Sequence, residues 1–261
     1  MMKKNLLLIL MCFVCGLVYA HDGLNFRNLD VKSGISDNYV RSVLRDQYGF
    51  MWFATLNGLN RYDGYQFKKY TTTQLGAYNN DIESIAEDAA GNIWIKGPVS
   101  YYIYDREQDK LENKIQPVLN KYGITGEVSY LTVDKDYNLW CTVMDTLFHY
   151  DFAKSKLHTF QLPGKEKMQQ VVCRRSCAYL LFSNGEIARI DSNFQHIRPE
   201  TRRTISSGLQ YNLYIDTVDR LWFYASHASG LQCYDTNQKQ WIDYVGRQEV
   251  TDALITAVMD D

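Results

Sequence analysis

Residues 46–63 read DQYGFMWFATLNGLNRYD: an aspartate, a tryptophan six positions later, an Asn-Gly pair and a second aspartate. Successive tryptophans at Trp52, Trp94, Trp140 and Trp222 are 42, 46 and 82 residues apart. Because the last interval is about twice the others, a repeat without a tryptophan is expected between Trp140 and Trp222. The flanking aspartates recur in the same order in all four repeats: Asp46 and Asp63, Asp88 and Asp105, Asp134 and Asp151, Asp216 and Asp235.

The residues between these markers have the pattern of short strands joined by tight turns. They are rich in aromatic and β-branched residues, which favour strands, and are separated by Asp, Asn and Gly at hairpin-turn positions. In the first repeat the predicted strands are residues 39–45, 50–55, 59–62 and 65–70. A period of about 40 to 50 residues with this content is typical of a β-propeller, in which each repeat forms one four-stranded blade. The sequence therefore predicts an all-β propeller with about five blades, at residues 36–72, 78–115, 124–162, 168–198 and 207–246.

Two further segments have the pattern of strands outside these five blades. Residues 24–29 resemble an outer strand that would close a ring against the last blade, and residues 251–261 resemble the start of a sixth blade. An unpaired inner strand would leave backbone hydrogen-bonding groups without partners. We therefore expect an incomplete ring that belongs to a longer polypeptide.

The first twenty residues have the features of a secretion signal. Lys3 and Lys4 precede an apolar stretch at residues 6–18, and Val-Tyr-Ala at residues 18–20 forms a cleavage site. No other run reaches the roughly 18 apolar residues that a membrane-spanning helix requires. The sequence predicts a signal peptide at residues 1–20 and an exported domain at residues 21–261, without direct membrane contact.

Charge and cysteine content exclude several classes of partner and site. A net charge of −2 gives no attraction to phosphate backbones or anionic lipids, so nucleic acid is not an expected partner. Four cysteines follow the signal, too few for a disulfide scaffold in a chain of this length. Cys173 and Cys177 flank a predicted turn, where the sequence allows either a disulfide or two half-buried thiols. No Cys or His set has zinc spacing, so no metal site and no cofactor are predicted.

Three stretches of the first repeat resemble a known family. Residues 33–40 (SGISDNYV), 46–55 (DQYGFMWFAT) and 58–64 (GLNRYDG) are similar to the two-component regulator propellers, the periplasmic sensor regions of hybrid two-component systems in gut Bacteroidetes. The resemblance is specific over residues 24–70 and weakens through the later repeats. Ala54, Pro98 and the missing tryptophan near Leu180 depart from the family pattern.

The resemblance implies a larger protein and a class of ligand. Such sensors have seven-bladed propellers, followed by a membrane span, a histidine kinase and DNA-binding parts, and they recognise oligosaccharides. By this resemblance we expect a periplasmic ligand-sensing domain that is not itself an enzyme. Its expected partners are an oligosaccharide, the remaining blades and the kinase part of the parent chain, and a second copy in a homodimer of that parent.

Candidate ligand-binding residues follow from the propeller topology. Ligands usually approach the side built from the turns between second and third strands and from the connections between blades. Amides, tyrosines, one acid and one imidazole there suit a neutral hydroxylated ligand. The candidates are Asn38, Tyr39, Asn57, Tyr78, Asn80, Ser100, Asp145, Asn184 and His227.

Several alternatives to these interpretations exist. The repeated tryptophans could stack on sugars, but their mid-strand positions favour core packing between blades. The repeated turn aspartates could bind calcium, but each lies alone in its blade and fits backbone capping. No hydrolase or metalloprotease motif is present, although Asp145 and Glu127 could form an acid/base pair. Besides a sensor, the sequence allows a propeller lyase, glycosidase or quinoprotein, a protein-interaction scaffold, or a gene fragment without a role of its own.

Overall fold

The computed structural model describes residues 26–164, 166–174, 177–191, 193–203, 205, 209–225, 228–242 and 254–255. The predicted signal peptide, and all but two residues of the predicted sixth blade, lie outside these residues. Twenty strands form five antiparallel sheets of four strands each, and in each sheet the spatial order of the strands is their order along the chain. The prediction of an all-β propeller with five four-stranded blades is therefore confirmed.

The strands of each blade are numbered in chain order. Blade 1 contains β1 (Val40–Arg45), β2 (Met51–Thr55), β3 (Gly58–Tyr62) and β4 (Phe67–Tyr70). Blade 2 contains β5 (Ser84–Glu87), β6 (Ile93–Lys96), β7 (Tyr101–Asp105) and β8 (Lys110–Glu112). Blade 3 contains β9 (Val128–Val133), β10 (Leu139–Val143), β11 (Thr146–Asp151) and β12 (Lys156–Gln161). Blade 4 contains β13 (Met168–Arg174), β14 (Cys177–Phe182), β15 (Glu186–Ile190) and β16 (Ile197–Arg202). Blade 5 contains β17 (Tyr211–Ile215), β18 (Arg220–Ala225), β20 (Leu231–Asp235) and β21 (Gln240–Ile242).

Short elements fill the connections. Two 3-10 helices occupy Val31–Ser33 and Thr73–Leu75, and helix α1 (Gln116–Lys121) lies between blades 2 and 3. Outside the five blades, β19 (Ala228–Ser229) pairs with β22 (Leu254–Ile255) in a separate two-stranded sheet. Among the described residues, no helix has the length and apolar content to cross a membrane.

The segment expected to form an outer strand at residues 24–29 does not do so in its described part. Residues 26–29 have no regular structure. Arg27 donates from Nη1 to the Tyr62 hydroxyl at 3.0 Å, and Asp30 caps the 3-10 helix that follows. The prediction of a strand is wrong here because a strand needs a neighbouring edge to pair with. The expected partner was the last blade of a closed ring, and the five described blades do not close into one.

The five blades fan out from a shared line of first strands. The first strands of successive blades lie side by side, from β1 through β5, β9 and β13 to β17. Within the described residues the blades do not close into a ring. Val43, on the face of blade 1 that points away from blade 2, remains 53% exposed. We call the side that carries the turns between second and third strands and the connections between blades the upper side. The opposite side is the lower side.

The hydrophobic core lies between neighbouring blades, as the mid-strand tryptophans predicted. Trp52, Trp94 and Trp140 are at most 2% exposed, and each packs in the apolar layer between its blade and the next. Trp222 is half-buried. In blade 4 the tryptophan position is held by Tyr179, which pairs with Arg189 as Trp52 pairs with Arg61 and packs toward blade 5. Leu180 is fully buried in the opposite layer, shared with blade 3. The interpretation of the tryptophans as core residues, rather than as a sugar-stacking platform, is confirmed for these three blades.

The repeated aspartates are hydrogen-bonding centres of the lower-side turns. Asp46 Oδ1 accepts from the backbone N–H groups of Tyr48 at 3.0 Å and Phe50 at 2.9 Å. Its Oδ2 accepts from Trp52 Nε1 at 2.9 Å. These bonds confirm the predicted capping role. They also explain the six-residue spacing between aspartate and tryptophan, because this spacing places the carboxylate within hydrogen-bonding distance of the indole N–H of the same blade. In the same way, Asp88, Asp134 and Asp216 accept through Oδ2 from the indole N–H of the tryptophan of their own blade, at 2.8, 2.8 and 2.9 Å.

Gly58 provides a test of the predicted Asn57-Gly58 turn. Its φ is +115°, and an added Cβ would lie 2.7 Å from the Tyr70 carbonyl oxygen. Gly49 also has a positive φ, +89°, but nothing lies within 4 Å of its Cβ position. We expect Gly58→Ala to destabilise the fold by about 2 kcal/mol and Gly49→Ala by about 1 kcal/mol, because only Gly58 adds a steric clash to backbone strain. Equal losses in urea unfolding would contradict this explanation.

Candidate functional site

Two of the predicted ligand residues meet on the upper side, where blade 1 joins blade 2. Asn57 lies in the turn between β2 and β3, and Asn80 lies in the connection to blade 2. Asn80 Nδ2 donates to Asn57 Oδ1 at 3.4 Å, while Asn80 Oδ1 accepts from the backbone N–H of Thr73 at 3.0 Å. The turn of blade 1 and the connection to blade 2 therefore place these two side-chain amides next to each other on the upper side.

An ion pair includes Asp81, the residue that follows Asn80 in the chain. Arg41 Nη2 lies 3.1 Å from Asp81 Oδ2. The other carboxylate oxygen, Asp81 Oδ1, is buried and accepts no hydrogen bond among the described residues. The guanidinium of Arg41 lies 6.0 Å from the centre of the Tyr39 ring, and Tyr39 is 55% exposed. We call Tyr39, Arg41, Asn57, Asn80 and Asp81 the junction cluster.

The junction cluster combines groups that suit a hydroxylated ligand. It offers an aromatic face, two amides, a guanidinium and a carboxylate oxygen in need of a donor. A buried acceptor without a donor is costly unless a ligand hydroxyl or a water supplies one. The sequence-based list missed Arg41 and Asp81, which are forty positions apart. Only the pairing of β1 with the inter-blade connection could have indicated them.

Two other predicted residues serve local turns instead. Asn38 Oδ1 accepts from the backbone N–H of Val31 at 3.0 Å, which fixes the segment before β1. Asn184 Oδ1 accepts from the backbone N–H of Glu186 at 2.9 Å, in the turn between β14 and β15. Their amide oxygens therefore already accept a backbone hydrogen bond. These two bonds do not involve the side-chain nitrogens.

The remaining predicted residues are spread over several blades. Tyr78 is fully exposed in the connection between blades 1 and 2, and Ser100 accepts through its carbonyl from the Gly97 N–H at 2.8 Å. Asp145 is exposed in the turn between β10 and β11 of blade 3. His227 lies outside the described residues. The structure thus brings together Tyr39, Asn57 and Asn80 but does not join them to Asp145 or Asn184 by a contact.

Cys173 and Cys177 are free thiols in the structure, so the disulfide that the sequence allowed is not formed. Cys173 pairs with Ala178, whereas Cys177 pairs with Arg174, the next position along β13. Because neighbouring positions of a strand point to opposite faces, the two thiols face away from each other. Cys173 packs in the layer between blades 3 and 4, and Cys177 packs between blades 4 and 5.

Among the described residues, cavities open on the lower side, opposite the junction cluster. The largest, about 680 Å³, lies among the lower turns of blades 1 to 3 and includes Tyr48, Glu87 and Tyr137. Burial raises the pKa of Glu87 there. A cavity of about 310 Å³ lies between blades 4 and 5 and one of about 160 Å³ among blades 3 to 5. The predicted ligand side and these cavities therefore occupy different sides of the disc.

Neither a metal site nor a buried acid/base pair emerges from the described residues. No three His, Cys, Asp or Glu side chains of this part come together to hold a metal ion. Glu127 and Asp145 flank the paired residues Val128 and Val143, so they lie at the same end of blade 3. Both side chains are exposed to solvent.

Comparison with known proteins identifies a family at the first repeat. Residues 34–57 match the family model described as two component regulator propeller. No curated protein matches the chain in sequence. The match covers the start of blade 1, from the residues before β1 to the turn after β2, which includes Tyr39, Arg41 and Asn57 of the junction cluster.

Solved structures with the same fold include two extracellular domains from B. thetaiotaomicron described as hybrid two component systems. BT4673 has a TM-score of 0.60 and 19% identity, over 93% of this chain and 34% of that one. BT3049 has a TM-score of 0.56 and 21% identity, over 83% of this chain and 31% of that one. Virginiamycin B lyase from Staphylococcus aureus has a TM-score of 0.50 and 14% identity, over 76% of this chain and 67% of that one.

The chain spans about a third of the length of the two extracellular domains. At these identities the likeness shows the fold alone, including for the lyase. The resemblance inferred from the first repeat is nevertheless confirmed by the family match. This chain carries a two component regulator propeller repeat at residues 34–57 and folds as five blades of a β-propeller.

Proposed function

We propose that this chain is the periplasmic ligand-sensing propeller of a hybrid two-component system and that it binds a neutral oligosaccharide at the junction cluster. The observation that carries the proposal is the pairing of Asn57 with Asn80 beside a buried Asp81 oxygen that has no donor in the part of the chain that the structure describes. The family match at residues 34–57 supports a role in signalling. The exposed setting of Glu127 and Asp145 supports binding rather than catalysis.

The position of the cluster offers a way to convert binding into a signal. Its residues come from β1, from a turn of blade 1 and from the connection to blade 2, so a bound sugar contacts both blades at once. A ligand that prefers one arrangement of the two blades shifts the population toward it. In the proposed parent chain, the remaining blades would pass this shift to a histidine kinase in a homodimer.

Calorimetric titration of the purified chain with neutral oligosaccharides tests the site. We would use xylo-, manno-, arabino- and cello-oligosaccharides of two to eight units. Saturable binding of at least one of them is expected. Asn57→Ala and Asn80→Ala should each weaken it about 5- to 10-fold, because each removes a side-chain hydrogen bond to the ligand.

Asn193→Ala is the matched control, since this exposed asparagine lies in the lower-side turn between β15 and β16. It should bind the sugar as the unchanged chain does. If none of the oligosaccharides binds, or if the Asn193 variant loses as much affinity as the two cluster variants, the proposed site is wrong.

A further inference from the structure

Blade 4 departs from the other blades at its lower-side turn. The turn after β13 contains no aspartate, and the tryptophan position is taken by Tyr179, which pairs with Arg189 as Trp52 pairs with Arg61. The hydrogen bond between aspartate and indole that fills this corner in the other four blades is therefore absent here. A cavity of about 310 Å³ opens at this place between blades 4 and 5, a size within the range of small-molecule sites, about 300 to 1,000 Å³.

Two arginines line this cavity. Arg174 donates from Nε to Asp219 Oδ1 at 2.9 Å and from Nη2 to the Thr217 carbonyl, so it links blade 4 to the lower turn of blade 5. Arg189, on β15, donates from Nη2 to the Cys177 sulfur at 3.2 Å. The Nε of Arg189 is buried and has no acceptor among the described residues.

The hydrogen bonding of Arg189 is incomplete on one edge of its guanidinium. A buried N–H without an acceptor costs free energy, and a thiol sulfur is a weak acceptor for the neighbouring N–H. Nε and Nη2 together form an edge that matches two oxygens of a carboxylate, sulfate or phosphate group. A ligand anion would satisfy Nε and replace the weak bond to Cys177.

Charged groups of both signs surround the cavity, and only Arg189 among them has a buried, unsatisfied N–H within the described residues. The cavity lining carries two guanidinium groups, Arg174 and Arg189, against one carboxylate, Asp219, which is bonded to Arg174. A second carboxylate, Glu200 on the adjacent β16, accepts from the Tyr234 hydroxyl at 3.3 Å and also attracts the charge of Arg189. Tyr179 and Ile215 supply buried apolar wall.

We propose that the cavity between blades 4 and 5 binds a small anion, or an acidic sugar through its charged group, by a two-point contact with Nε and Nη2 of Arg189. This site lies on the side of the disc opposite the junction cluster and uses a different chemistry. It therefore does not depend on the proposed function, and the two proposals can fail separately.

Titration of the full chain with sulfate, inorganic phosphate and glucuronate, at constant ionic strength set by chloride, tests the site. We expect saturable binding of at least one anion, and comparison of the three identifies whether the oxygens belong to a carboxylate, a sulfate or a phosphate. Arg189→Gln should weaken that binding about tenfold or more, because it removes both the charge and the two-point contact. Arg202→Gln, which alters an exposed arginine at the end of β16, should bind as the unchanged chain does. No binding of any of the three anions, or equal binding by the Arg189 variant, would overturn the proposal.

A second measurement needs no variant. Alkylation of the unchanged chain with iodoacetamide, followed by mass spectrometry of the cysteine peptides, reports on Cys177 and Cys173 separately. The bound anion should slow the reaction of Cys177, which contacts Arg189, and leave that of Cys173 unchanged, because Cys173 lies in the layer between blades 3 and 4. Equal protection of both cysteines, or protection of neither, would contradict the proposed position of the anion.

Discussion

Arg106→Met is expected to lower the free energy of unfolding by about 3 to 5 kcal/mol, the cost of removing one partner from a buried ion pair. Arg106 donates from Nη1 to Asp46 Oδ2 at 3.1 Å and from Nη2 to Glu87 Oε1 at 2.9 Å. The side chains of Asp46 and Glu87 are 0% and 6% exposed. Loss of the guanidinium would leave two buried carboxylates of different blades facing each other without a counter-charge. Urea unfolding at neutral pH would measure the loss.

Two further variants separate this effect from a general loss of charge. Lys110→Met removes a cation from an exposed pair with Glu112 in the same blade and should change stability by only about 0 to 1 kcal/mol. Glu87→Gln in the Arg106→Met background should restore part of the stability, because it removes one of the two unpaired charges. A loss for Arg106→Met no larger than that for Lys110→Met would show that the network does not hold blades 1 and 2 together.

The sequence predicted the blades because their determinants are local. Each turn aspartate lies two and four residues from the N–H groups it caps and six from the tryptophan, so the spacing itself carries the structure. Arg106 bonds to Asp46 sixty residues away. No spacing within one repeat encodes such a contact, so the link between blades 1 and 2 could not be predicted.

The candidate site was predictable only in part, for the same reason. Propeller topology located Asn57 and Asn80 on one side, and the structure joins them. Asn38 and Asn184 met the same rule but serve local turns, which compete for short amide side chains. The cavity at Arg189 could not be predicted, because it lies where blade 4 lacks the aspartate and the tryptophan of the repeat. Aligning the repeats shows that these two residues are absent, but not which side chains surround the space that results.

His149 is a buried titratable group on the interface between blades 3 and 4. It is 2% exposed and stacks on Trp140 with ring centres 4.0 Å apart and on Phe194 at 4.7 Å. Neither ring nitrogen has a hydrogen-bond partner among the described residues, and Nε2 lies 3.9 Å from Asp134 Oδ2, which already accepts from Trp140. Burial lowers the pKa of His149 from its usual 6.5 to about 4.

This lowered pKa makes stability depend on pH in a definite direction. Between pH 6.5 and pH 4 the unfolded chain binds a proton at His149 that the folded chain does not, so stability falls as the pH is lowered through this range. The full contribution is about 3 kcal/mol, present above pH 6.5 and lost toward pH 4. Urea unfolding at pH 7, 5.5 and 4.5 would measure it.

His149→Phe should abolish this part of the pH dependence while leaving the fold at least as stable at pH 7. Phenylalanine keeps the aromatic stack and removes two buried nitrogens that have no partner, a change that is neutral or stabilising when no hydrogen bond is lost. Since acidic groups elsewhere also titrate in this range, the informative quantity is the difference between the unchanged chain and the variant at each pH. His196→Gln, at an exposed position between β15 and β16, should follow the unchanged chain throughout. If His149→Phe does so as well, the imidazole is protonated in the folded state and the blade 3–4 interface accommodates its charge.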